Sequence, residues 1–60
     1  MIPKDPVILL SFMNMKLRDS YSSLSALFDD LDVPTDEQDE ITKKLADIGY
    51  TYDSKLNQFV

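Results

Sequence analysis

The carboxylates are the only side chains in this sequence dense enough to suggest chemistry. Asp29, Asp30 and Asp32 fall within four residues, and Asp36, Glu37, Asp39 and Glu40 fall within the next cluster of five. Clustered carboxylates can hold a hard cation, or divide into acid and base when a pocket pushes their pKa values apart. The spacing argues against a calcium loop, which needs alternating oxygen ligands on irregular backbone, a tight-turn Gly and a closing Glu. The sequence has one Gly, Gly49, outside both clusters. It has no His and no Cys, which removes imidazole and thiolate zinc sites, disulfides and the common nucleophile–base pairs. No Gly-rich phosphate loop and no GxSxG elbow occurs. A chain this small also has little room for a pocket. The expectation is a non-enzymatic protein with no catalytic, cofactor-binding or metal-binding residues.

Binding is then the class of function left to weigh. Eleven acidic and six basic residues give a formal charge of −5, which disfavours polyanionic partners such as nucleic acid or anionic lipid. The basic residues Lys4, Lys16, Arg18, Lys43, Lys44 and Lys55 are scattered. Clustering of Lys16, Arg18 and Lys55 on one face would favour DNA. A continuous acidic face built from Asp29, Asp30, Asp36, Glu37, Asp39 and Glu40 would favour a basic protein partner.

The elements that must position these residues can be read from local signals. Asp5-Pro6 is a helix start, with Asp accepting from first-turn amides and Pro fitting the first helical position. The predicted helix covers 6–19. At 100° per residue, Leu9, Leu10, Met13 and Leu17 share one face, while Ile8, Phe12 and Met15 share a second. One stripe suffices for a surface helix. The second is either core beneath the N-terminal arm and the C-terminal segment, or a surface for a partner. Ser22 or Ser23 caps a second helix ending near Leu31, with Leu24, Leu27, Phe28 and Leu31 as its apolar stripe. Asp29, Asp30 and Asp32 oppose its dipole and weaken its last turn.

Val33-Pro34 separates this helix from the next. Thr35 and Gln38 have capping-box spacing, and a third helix over 36–48 is predicted, with Ile41, Leu45 and Ile48 apolar. Asp39/Lys43 and Glu40/Lys44 are i,i+4 pairs in the favourable order. Gly49 is a C-terminal cap. The periodicity then switches from 3.6 to 2. Strands at 50–52 and 58–60 are predicted around the turn-forming Asp53–Asn57 segment, with Asn57 suited to a left-handed conformation. Tyr50 or Tyr52, with Phe59, should dock the hairpin on the helices. The fold class is α+β: a three-helix, helix-turn-helix-like core with a C-terminal β-hairpin, a minimal winged-helix arrangement. The helix that would read DNA begins Asp36-Glu37-Gln38-Asp39-Glu40, which phosphates repel.

Sixty residues make one domain at most, here 1–60. Such a chain buries only about 60% of its unfolded surface. With no disulfide or metal to help, a partner subunit is the available support, and a weak homodimer through Ile8, Phe12 and Met15 is one expectation. Asp5, Pro3 and Pro6 spoil the pattern of a signal peptide at the N-terminus, and the apolar run 7–13 is too short to span a bilayer. The expected location is cytoplasmic, away from membranes.

The strings Met1-Ile-Pro-Lys-Asp-Pro-Val-Ile-Leu-Leu-Ser-Phe12, Asn14-Met-Lys-Leu-Arg-Asp19, Tyr21-Ser-Ser-Leu24, Ile48-Gly-Tyr-Thr-Tyr-Asp53 and Leu56-Asn-Gln-Phe-Val60 resemble a family of short, uncharacterised bacterial proteins of unknown function. The resemblance covers nearly the whole chain. It implies a bacterial cytosolic protein that is complete at this length, and it brings no functional residues with it. More distantly, residues 23–60 are similar to winged helix-turn-helix domains. The rival functional readings are an accessory or weak DNA-binding protein and an acidic protein occupying a basic partner's surface.

Overall fold

A computed structural model describes residues 2–60; Met1, part of the expected single domain, lies outside the described residues. Three helices and a hairpin follow one another: α1 (Pro6–Asp19), α2 (Leu24–Asp30), α3 (Thr35–Asp47), β1 (Tyr52–Asp53) and β2 (Gln58–Phe59). The strands pair antiparallel, with Tyr52 opposite Phe59 and Asp53 opposite Gln58. The fold is therefore α+β, with a helical core and a C-terminal β-hairpin.

Local chemistry sets the helix boundaries. The Asp5 carboxylate accepts from the Ile8 amide at 3.1 Å, and Pro6 occupies the first helical position. The Ser23 hydroxyl accepts from the Ala26 amide at 3.1 Å. Each cap satisfies an amide that has no partner inside its helix. Helix α2 ends one residue before the expected Leu31, in a Schellman turn. The Val33 amide donates to the Phe28 carbonyl, the Asp32 amide to the Asp29 carbonyl, and Asp32 lies in the left-handed region at φ 53°. Phe28 and Val33, the apolar pair that accompanies this motif, are both buried. Helix α3 closes the same way: Tyr50 donates to the Leu45 carbonyl and Gly49 to the Ala46 carbonyl, with Gly49 at φ 92°.

The start of α3 differs from the expected capping box. Pro34, not Thr35, is the N-cap, and α3 begins one residue earlier than predicted. Proline has no N–H for a glutamine to cap. Gln38 instead donates from Nε2 to the Val33 carbonyl at 2.8 Å. The strands are also shorter and shifted. Because the Tyr50 amide is held by the end of α3, pairing begins at Thr51, which exchanges both backbone bonds with Val60 at 2.9 and 3.1 Å.

The core comprises Leu9, Met13 and Leu17 of α1, Leu27 and Phe28 of α2, Val33, Ile41 and Leu45 of the α3 region, and Phe59 of β2. Of the expected stripes, Leu10 and Leu24 are only half-buried, while Val33 and Phe59 join the core; Leu31 and Ile48 stay outside it. Both of those are helix C-caps, where the chain turns outward, and both are exposed. Leu10, Phe12, Leu24 and Tyr52 pack around this core. Full burial of a leucine such as Leu45 contributes about 1.5–3 kcal/mol.

Candidate interaction surface

Two amides and one phenol fix the hairpin on α1, and so decide which face of α1 stays free. The Asn14 side chain treats Phe59 as a strand neighbour: Oδ1 accepts from its amide at 2.7 Å, and Nδ2 donates to its carbonyl at 3.1 Å. Asn57 Nδ2 donates to the carbonyls of Leu17 and Tyr21 at 3.0 and 2.9 Å, satisfying the C-terminal end of α1. Asn57 Oδ1 accepts from the Tyr52 hydroxyl at 2.7 Å, and that hydroxyl in turn accepts from the Leu24 amide at 3.2 Å. Since Asn57 sits at residues 17–21 and Phe59 at residue 14, β2 runs antiparallel to α1. The tilted Tyr52 and Phe59 rings, with centroids 5.6 Å apart, close the apolar side. Of the two tyrosines considered for docking, Tyr52 packs while Tyr50 is exposed.

The second stripe of α1 divides. Ile8 is 58% exposed and Met15 44% exposed, with Val7 beside them at 65%. Phe12 is half-buried against the core, with Lys16 Nζ 5.8 Å above its ring. Phe12 also floors an open groove of about 570 Å³, walled by Ile2, Pro3 and Lys4 of the N-terminal arm, Lys16, and Leu31, Val33 and Glu37 at the α2–α3 junction. Lys44 holds the arm by donating to the Lys4 carbonyl at 3.2 Å. The groove has an apolar floor and charged rims. Glu37 is the one carboxylate among its lining residues, facing the same groove as Lys4 and Lys16.

The residues of the acidic face, Asp29, Asp30, Asp36, Glu37, Asp39 and Glu40, are all exposed around the turn joining α2 to α3. Asp30 accepts from the Tyr21 hydroxyl at 2.6 Å, which pushes the phenol pKa above its ordinary value. Among the described residues, no three acidic side chains converge on a point that could hold a metal ion. Lys4, Lys16 and Lys44 come together around the groove, but the grouping of Lys16 with Arg18 that would favour DNA does not form. Lys16 and Arg18 leave α1 about 160° apart by helical geometry. Arg18 forms a two-bond ion pair with Asp19 at 2.8 and 3.0 Å, which raises its own pKa and lowers that of Asp19. Lys44 lies 3.8 Å from Glu40. The expected Asp39/Lys43 pair does not come within ion-pair distance among the described residues.

Sequence reasoning placed the Asp5 cap and the two α1 stripes but missed the Pro34 cap and the roles of Asn14, Asn57 and the Tyr52 hydroxyl. The available signal was the position of Asn14 on α1, between its two apolar stripes, where an amide needs a tertiary partner. Among the described residues, no helix is long and apolar enough to cross a membrane. No curated protein and no solved structure matches the chain. A family described as a domain of unknown function, DUF4250, matches residues 3–59, and the chain, aligned over nearly its whole length, belongs to that family.

Proposed function

We propose that this protein is a non-enzymatic protein-interaction module of the bacterial cytoplasm that docks through the outer face of α1 and pairs weakly with itself there. The observation that carries the reading is the exposure of Ile8 and Met15 beside Phe12, on a helix whose opposite face already fills the core. Burying one large apolar side chain is worth about 1.5–3 kcal/mol. Ile8 and Met15 are only partly exposed and Phe12 is already half-buried, so each contributes a fraction of that, and against an association cost on the order of 4–15 kcal/mol the expected dimer is weak, with a Kd on the order of 1 mM.

Sedimentation velocity tests this. The wild type is expected to show a sedimentation coefficient that rises with concentration, and Ile8→Asp to stay monomeric with an unchanged circular dichroism spectrum. A wild type that remains monomeric at about 1 mM would overturn self-association. Ile8 is the better target because Phe12 also supports the core. A second reading, a basic protein bound by the Asp29–Glu40 surface, is favoured by the exposure of its six named carboxylates. Nucleic acid is disfavoured by the same surface and by the pairing of Arg18 and Lys44 with carboxylates.

A further inference from the structure

The groove over Phe12 sets positive charge on an apolar lining, in a chain that carries −5 overall. Two lysines, Lys4 and Lys16, face it against one carboxylate, Glu37. Lys44 holds the Lys4 carbonyl at 3.2 Å and already lies 3.8 Å from Glu40, so the charge open to a ligand is that of Lys4 and Lys16. Among the described residues, neither of these two has a carboxylate within ion-pair distance. Lys16 is half-buried, its ammonium 5.8 Å from the centre of the Phe12 ring. Water screens a half-buried cation less than an exposed one, so an anion that reaches Lys16 gains more there than at the open surface.

The shape of the groove limits the size of that anion. Of α1, Phe12 and Lys16 line it, one turn apart, so the floor runs about 6 Å along the helix. A docked amphipathic helix needs anchors spread over about 10 Å, from i to i+7. The floor instead matches one ring or one branched chain, enclosed by Leu31 and Val33 at the α2–α3 junction and by the arm. Its volume of about 570 Å³ falls within the range of about 300–1,000 Å³ usual for small-molecule sites. Glu37 on the rim disfavours a second negative charge on the ligand, and the exposed carboxylates beyond it repel polyanions. We infer that this groove binds a small apolar monocarboxylate, with its hydrocarbon body on Phe12 and its carboxylate on Lys16 and Lys4. The site is separate from the exposed Ile8 and Met15 face proposed above, and either reading can fail without the other.

Phenylacetate serves as the probe, against its neutral amide and against acetate, which lacks the ring. Each is titrated into the full chain at about 50 μM, well below the Kd expected for self-association, and amide shifts are followed by nuclear magnetic resonance. Phenylacetate is expected to shift Phe12, Lys16, Leu31, Val33 and Glu37 with a Kd on the order of 1–10 mM. The neutral amide should bind about threefold more weakly, and acetate about tenfold. Lys16→Met keeps the stem and removes the charge, so it should weaken phenylacetate about threefold and leave the amide unchanged, while Lys16→Arg retains binding. Glu37→Gln removes a repelling charge and should tighten phenylacetate about twofold. Circular dichroism checks the fold of each variant. Shifts absent up to about 50 mM, shifts centred on Val7, Ile8 and Met15, equal affinity for the neutral amide, or a Glu37→Gln variant that binds less tightly would each overturn the assignment. So would a capped pentapeptide alternating glutamate and leucine that binds the groove about tenfold more tightly than phenylacetate, which would give the groove to a protein partner instead.

Discussion

Asn57 joins three elements through one side chain, so its replacement is the sharpest test of how the hairpin is held. Its amide donates to the Leu17 and Tyr21 carbonyls and accepts from the Tyr52 hydroxyl, and its backbone is left-handed at φ 52°. Each hydrogen bond contributes about 0.5–1.5 kcal/mol net. The left-handed conformation costs alanine roughly a further 1 kcal/mol. Asn57→Ala should therefore destabilise by about 2.5–5.5 kcal/mol, against a total of about 3–9 kcal/mol for a domain of this size. Asn57→Gly relieves the backbone cost and isolates the side-chain contribution, about 1.5–4.5 kcal/mol. Asn57→Asp keeps the turn and the acceptor for Tyr52 but sets a carboxylate against two carbonyls, so it should do no better than alanine. Urea denaturation followed by circular dichroism measures all three. A double-mutant cycle with Tyr52→Phe should give a coupling of about 0.5–1.5 kcal/mol. An Asn57→Gly variant within about 0.5 kcal/mol of wild type would show that these bonds do not hold the hairpin.

Three further outcomes follow from the same geometry. Asp32 is a charged residue in the left-handed C′ position of α2, where the helix dipole disfavours it, so Asp32→Gly should stabilise by about 1 kcal/mol and raise Tm by about 4–8 °C; an unchanged or lower Tm would contradict this. The Tyr21 phenol is held protonated by its bond to Asp30. Its contribution is present below the unfolded tyrosine pKa near 10 and is lost as pH rises through the higher folded value. Ultraviolet titration should show a late-titrating component that is lost in Tyr21→Phe, and a curve that merely scales down would refute the assignment. Fluorescence anisotropy at physiological salt should give no specific duplex-DNA binding; a Kd below about 1 μM with a steep salt dependence would overturn this expectation.

How far the fold was legible follows from the range of each interaction. The Asp5-Pro6 start and the Gly49 stop are determined within one turn of chain and appear where the sequence placed them, and of the two serines considered as a cap, Ser23 takes the role. The buried α1 stripe was legible because Leu9, Met13 and Leu17 repeat at helical spacing. The end of α2 was less so, because an aspartate occupies the left-handed position usually marked by glycine. The start of α3 was misread because Pro34 can serve as an N-cap while denying Gln38 an N–H to cap. The strands shifted because the Schellman turn of α3 claims the Tyr50 amide first. The Asn14–Phe59 and Asn57–Leu17 bonds span 45 and 40 residues, and no local pattern encodes them. For the candidate surface, the sequence showed two stripes on α1 but not which was covered. The structure separates a half-buried Phe12 from exposed Ile8 and Met15.

The central claim is that the outer face of α1 is where this protein meets its partner, including itself. A dilution series of amide spectra by nuclear magnetic resonance, from the expected Kd of about 1 mM down to about 20 μM, tests it residue by residue. Concentration-dependent shifts are expected at Val7, Ile8, Ser11 and Met15, with the Asp29–Glu40 surface unchanged. Spectra that do not change with concentration, or changes centred on Asp29–Glu40 instead, would contradict it.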